Sequence, residues 1–231
     1  KIQLIKTMVK KRTILSIAIA AMLLQSPVYA QSDRKVTNIN RGWLFRLGES
    51  SSAITTAKAK AERWKEVNLP HDFQIEQPWV APAADEKANT SDAGANIKSR
   101  LSARGFKEMG SGWYVKAFTP SIEDKGKRVL IDFQGIMYLG DVYLNGNKIG
   151  GTDYGYVGFE IDITDKLRYD EENTIAVYSN TANPRDSRWY TGGGLFRDVN
   201  IVYTDPQLYF NRHPLNISTR EKQFVDMTVD V

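Results

Sequence analysis

The stretch DVYLNGNKIG, Asp141 to Gly150, decides the fold. Asp141 to Leu144 alternates, Asn145-Gly146 follows, and a second run starts at Asn147. Asn and Gly tolerate the positive φ angles of a type I′ turn, so the stretch predicts a tight hairpin. Working outward, the same period of two recurs in Trp113 to Phe118, Arg128 to Gln134, Phe159 to Ile163, Asn173 to Tyr178 and Asp198 to Tyr203. Upstream, Gly42 to Leu47 alternates as well. Short strands, turn signals and no long amphipathic helix predict an all-β sandwich. Between them, Gln31 to Asn40 is polar and reads as frayed. Ser50 to Lys65 reads as a loose helix or loop, and Gln77 to Gly112 as a long loop poor in large apolar residues.

Composition narrows the function. With 231 residues, 42% hydrophobic and 25% charged, the chain is an ordinary globular protein of one or two domains. Its +4 net charge is concentrated at the start. Lys1, Lys6, Lys10, Lys11 and Arg12 face no acid before residue 31, so the remainder carries 4 − 5 = −1. A near-neutral body gives no electrostatic basis for nucleic-acid binding.

That basic head precedes Ile14 to Leu24, an apolar run too short to span a bilayer comfortably, and then Val28-Tyr29-Ala30. The expectation is a Sec-type signal peptide over 1–30, cleaved before Gln31. A membrane anchor is the rival reading; no stop-transfer segment and no lipobox cysteine support it, and no membrane span is expected. Met8 is a natural start, so residues 1–7 are expected to be an upstream extension without a structural role. Cysteine is absent, which excludes disulfides, thiolate catalysis and zinc–thiolate sites. His71 and His213 are the two histidines, far apart, and argue against a His-rich metal site.

Asp205-Pro206 ends the last strand of the sandwich. Leu208-Tyr209-Phe210 and Phe224 to Val231 then read as the first strands of a second β-domain, inside which the sequence is expected to stop. The alternative is a C-terminal strand that returns to the first sandwich. Residues 31–205 and 206–231 are thus the two expected domains.

Four segments in order carry a resemblance: Leu69-Pro70-His71-Asp72-Phe73, Gly112-Trp113-Tyr114, Asp141 to Gly146, and Ser187-Arg188-Trp189-Tyr190 with Gly194-Leu195-Phe196-Arg197-Asp198-Val199. Over about residues 40–204 the chain resembles the N-terminal sugar-binding domain of glycoside hydrolase family 2, closest to bacterial β-galactosidases. The resemblance implies a jelly-roll sandwich, then an immunoglobulin-like domain, then a (β/α)8 barrel that carries the chemistry. It also implies a β-galactoside or other glycan substrate, a missing C-terminal barrel as partner, and room for a homo-oligomer at full length. With the signal peptide, it suits a periplasmic or cell-surface enzyme of a Gram-negative, glycan-degrading bacterium.

A retaining glycosidase needs two carboxyl groups about 5 Å apart. In the family both are glutamates at barrel strand ends, and this chain has no repeated strand–helix pattern. Glu108, Glu123, Glu160, Glu171 and Glu172 match no catalytic motif and read as solvated charge. No catalytic residue is assigned, and the chain alone is expected to be inactive as a hydrolase.

Recognition is different. By the resemblance, the loop before the glycine triplet contacts the non-reducing sugar, which places Asp186, Arg188, Trp189 and Tyr190 at the substrate. A carboxylate can accept from two adjacent hydroxyls, an Arg fork can donate to sugar oxygens, and an aromatic ring can stack on the C–H face of galactose. Two alternatives stay open: Asp186 and Arg188 pair with each other, and Trp189 and Tyr190 seat the loop by packing.

Some family members hold sodium through a carboxylate in this region, and full-length members use Mg and Na ions. The spacing around Asp186 does not match those members, so no metal ligand and no cofactor is assigned to this chain. His71-Asp72 reads as a structural tie, Trp43 and Trp113 as core, and Asn145-Gly146 as turn chemistry. The competing functions are a stand-alone carbohydrate-binding module and a fragment of a family 2 β-glucuronidase or β-mannosidase.

Overall fold

Asn145 and Gly146 take φ angles of 50° and 84°, and the hairpin predicted from them is present. The structure is a computed structural model, and it describes residues 34–80, 106–182, 190–210, 212, 215–220 and 224–229. Asn145 does more than turn the chain. Its side-chain oxygen accepts from the Thr174 amide at 2.9 Å and from Arg168 at 2.8 Å, locking the hairpin to the next strand.

In chain order the elements are β1 (Lys35–Asn38), β2 (Trp43–Leu47), α1 (Thr56–Ala61), β3 (Lys65–Val67), β4 (Ser111–Phe118) and β5 (Arg128–Phe133). Then follow β6 (Leu139–Leu144), β7 (Asn147–Thr152), β8 (Phe159–Asp162), β9 (Asn173–Asn180), β10 (Val199–Thr204), β11 (Leu215–Arg220) and β12 (Phe224–Val229). A six-stranded sheet, β3-β2-β4-β9-β6-β7, faces a four-stranded sheet, β1-β10-β5-β8. All the pairings are antiparallel. The fold is an all-β jelly-roll sandwich. The Ser50–Lys65 stretch contains α1, capped by the Thr55 hydroxyl on the Lys58 amide.

The period of two explains the layers. Trp43 and Phe45 of β2, Tyr114 of β4, Ile175 and Val177 of β9 point inward. There they meet Val129, Ile131 and Phe133 of β5 and Val199, Ile201 and Tyr203 of β10. The alternate residues of the six-stranded sheet are buried too. Leu44, Trp113, Val115 and Ala176 join Ile54, Ala59 and Trp64 in a second cluster beneath α1. Trp43 and Trp113 are core residues as predicted, but they belong to different layers.

Three strands escape the sequence pattern. β1 lies in the stretch read as frayed; its four residues are all exposed, and it is held by pairing with β10. β3 has only three residues. At the C-terminal end, Leu208-Tyr209-Phe210 is not a strand. The partner of β12 is β11, in a separate two-stranded sheet, so Phe224–Val229 is paired and does not return to the sandwich.

Candidate functional site

Four loops meet at one end of the sandwich. The Gly193–Leu195 segment is hydrogen-bonded on both flanks, although it lies outside the sheets. On one flank, Phe73 donates to Gly193 O at 3.1 Å and His71 to Leu195 O at 2.8 Å. On the other, Met137 and Gly194 exchange backbone bonds of 2.8 and 2.7 Å. The fourth loop, between β7 and β8, reaches the same place, because Gly155 packs on Met137 and Ile136 so closely that a Cβ would collide.

The glycine triplet serves this crowding. Gly192 and Gly194 have φ of 76° and 100°, a region that disfavours other residues. A Cβ on Gly194 would run into the Tyr114 hydroxyl, and one on Gly193 would sit 2.8 Å from Thr181 and 3.0 Å from Phe73.

Asp72 ties the loop to the sandwich. One carboxylate oxygen accepts from the Gln74 amide at 3.0 Å, capping the short 3₁₀ turn Phe73–Glu76, and from the Gly193 amide at 2.8 Å. The other accepts from the Tyr190 hydroxyl at 2.8 Å. The incoming side is anchored by Thr181, whose amide and hydroxyl both donate to Gly110 O, at 2.8 and 3.0 Å. The segment between Thr181 and Tyr190 is therefore held at both ends. Asp186, Arg188 and Trp189 lie in it, outside the described residues. Tyr190 is exposed, and its ring is positioned by the bond to Asp72, which fits seating and contact at once.

His71 sits behind this anchor. Its Nδ1 is 2.8 Å from the Tyr114 hydroxyl, and its Nε2 is 3.6 Å from Glu76, which also holds Lys65 at 2.6 Å. Burial pushes the Tyr114 phenol well above its ordinary range, so it stays protonated and can donate to Nδ1. Burial also lowers the His71 pKa below 6.5, against the opposing pull of Glu76. The Lys65 hydrogen bond lowers that of Glu76.

The folded state therefore binds fewer protons at His71 than the unfolded chain does. Stability should be full above pH 6.5, fall as pH drops through the window below it, and then level off. A second loss belongs at lower pH, where Glu76, Asp124 and Asp162, all with lowered pKa values, take up protons. Urea midpoints across this range should show the upper step, and His71→Gln should remove that step while leaving the lower one. An unchanged upper step in the variant would assign it elsewhere.

Glu108, Glu123, Glu171 and Glu172 are exposed, and Glu160 is half-buried, 4.0 Å from Arg34. Among the described residues there is no group of three or more His, Asp or Glu side chains that could hold a metal ion. No described helix is long and apolar enough to cross a membrane. The sequence located the loop and His71-Asp72 separately. It did not show that Asp72 reaches Tyr190 and Gly193, and only the four-segment order hinted that these motifs converge.

A family model described as glycosyl hydrolase 2 galactose-binding domain-like matches residues 103–230. A β-galactosidase of Bacteroides ovatus is 34% identical over 76% of this chain and 19% of its own length. A β-glucuronidase of Bacteroides fragilis is 29% identical over 79% of this chain and 23% of its own. A solved family 2 glycosyl hydrolase from Bacteroides cellulosilyticus superposes with a TM-score of 0.63 at 31% identity, covering 80% of this chain and 22% of that one. A solved Bacteroides uniformis β-glucuronidase gives 0.62 at 25% identity. The chain thus spans about a fifth of the length of these relatives.

Proposed function

We propose, from the premise that this chain belongs to glycoside hydrolase family 2, that it is the N-terminal sandwich of a β-galactosidase acting on terminal β-galactosides. Its role is recognition: Asp186, Arg188, Trp189 and Tyr190 contact the glycone, while two barrel glutamates elsewhere in the whole protein perform the chemistry. The observation that carries this reading is the two-ended anchoring of the loop, at Thr181 and at Asp72. In the same reading residues 1–30 direct export to the periplasm or cell surface, and residues 206–231 begin an immunoglobulin-like domain.

The 34% identity to the Bacteroides ovatus β-galactosidase supports galactoside, while other relatives at 28–30% include a β-galactosidase and β-glucuronidases alike. The glucuronidase reading keeps a specific basis in those relatives and is the second candidate. The substrate is tested by kcat/KM of the full-length enzyme on p-nitrophenyl β-galactoside and β-glucuronide. The expected ratio favours galactoside by at least about 100-fold, or roughly 2.7 kcal/mol in transition-state binding. A preference for the glucuronide would overturn the galactosidase assignment and leave the family intact. The 231-residue chain alone should hydrolyse neither; turnover by it would refute the division of labour.

A further inference from the structure

The β7–β8 loop carries a feature that the glycone loop does not explain. Tyr154 is 52% exposed, Tyr156 42% and Val157 54%, on one short turn. Exposed aromatics on a loop are ordinary when they move freely, but these are fixed. Tyr154 stands edge-on to Tyr156 at 5.8 Å, and Tyr156 edge-on to Phe196 at 6.3 Å. Arg197 lies 4.9 Å from the Phe196 ring and donates to Tyr156 O at 3.1 Å and Gln134 O at 3.2 Å.

The backbone is held too. Thr152 and Tyr154 bond each other through one hydroxyl, at 3.0 and 3.1 Å. A Cβ on Gly155 would collide with Met137, and one on Gly158 with Arg212. Two partly exposed phenol rings thus pack on their neighbours at the end of the sandwich where Gly194 pairs with Met137.

We propose that Tyr154 and Tyr156, on the β7–β8 loop beside the glycine triplet, form a second sugar-stacking contact that takes a pyranose of a β-linked galactan chain. This rests on the reading that the substrate is a glycan, and adds to it a second point of contact. An aromatic face lies well against the C–H face of a galactose ring, and a fixed ring loses little entropy on binding. A tyrosine adds a hydroxyl that can donate to or accept from sugar oxygens. The patch is also the wrong size for a protein. A stable interface engages about 20–30 residues a side, whereas this turn exposes three large hydrophobic side chains. One or two sugar rings match that footprint.

The test titrates β-1,4-galactotetraose into the chain carrying ¹³C-labelled tyrosine and follows the ring resonances. Saturable shifts with a low-millimolar Kd are expected. Tyr154→Ala and Tyr156→Ala should each weaken binding at least tenfold, with Tyr156→Phe within threefold of wild type because stacking is kept. Both rings are partly exposed, so the fold should survive their removal and far-UV circular dichroism should be unchanged in the variants. If Tyr156→Ala disturbs the spectrum, the Tyr156→Phe and Tyr154→Ala pair decides alone.

No saturable shift up to about 20 mM, roughly 2.3 kcal/mol on the free-energy scale, would overturn the platform. So would binding that survives both alanine variants, or a sedimentation coefficient that drops in them, which would assign the patch to self-association. The galactosidase reading is judged separately by hydrolysis in the full-length enzyme with both tyrosines intact. Either can therefore fail without the other.

Discussion

Gly194→Ala is expected to remove about 4–6 kcal/mol of stability and leave the chain largely unfolded near physiological temperature. Three costs combine at this position. A φ of 100° is strained for any residue with a Cβ, at about 1–3 kcal/mol. The new methyl would overlap the Tyr114 hydroxyl and lie 2.9 Å from the His71 carbonyl. Neither neighbour can yield cheaply. Tyr114 is fully buried with its ring 4.7 Å from Phe45, and the His71 carbonyl is backbone. Overpacking of this kind costs about 1–3 kcal/mol, and displacing Tyr114 also breaks its bond to His71 Nδ1, worth about 1 kcal/mol.

A domain holds about 5–15 kcal/mol in all, so the loss is most of the total. Gly48→Ala supplies the control. Gly48 has a φ of 85° with nothing within 4 Å of a built Cβ, so it should lose only the strain. Urea unfolding of both variants separates strain from collision. Equal losses would refute the packing argument for the triplet.

Asp72→Ala is expected to cost about 2–4 kcal/mol, and Asp72→Asn less than half as much. The carboxylate accepts three hydrogen bonds, and hydrogen bonds to a charged acceptor are stronger than neutral ones. Alanine leaves the buried Gly193 amide without an acceptor, which costs more than the bond itself contributes. Asparagine keeps the oxygen that serves Gln74 and Gly193, and its amide can donate to the Tyr190 hydroxyl.

Tyr190→Phe removes one exposed bond and should lose under about 1 kcal/mol. In the full-length enzyme, Asp72→Ala should also lower kcat/KM, since the loop it anchors carries the proposed sugar contacts. Equal stability of the alanine and asparagine variants would show that Asp72 acts as local turn chemistry rather than as a tie across the chain.

What was legible in the sequence follows from range. Asn145-Gly146 is a local matter of two φ angles, and it reads correctly with no knowledge of the rest. The alternating strands read correctly because one face of each is buried, which imposes the period. β1 was not legible: Lys-Val-Thr-Asn has no buried face, and its order comes from a β10 partner about 165 residues later. Trp113 looked like any core residue, but the layer it joins depends on α1 covering the back of the six-stranded sheet.

At the site, His71-Asp72 reads from sequence as a structural tie, and Asp72 is one, locally through Gln74. Its longer reach, 118 positions to Tyr190 and 121 to Gly193, leaves no mark in local pattern. The tyrosine pair at 154 and 156 leaves no local mark for a related reason. Its rigidity comes from Phe196 and Arg197, on a different loop.

The central claim is that this sandwich supplies glycone contacts to a family 2 active site. The most direct measurement is kcat/KM on p-nitrophenyl β-galactoside for Asp186→Ala and Arg188→Ala in the full-length enzyme, with melting temperatures recorded alongside. A drop of about 100-fold is expected in each, roughly 2.7 kcal/mol of transition-state binding, with melting temperatures unchanged. Wild-type kcat/KM in both variants would contradict the claim.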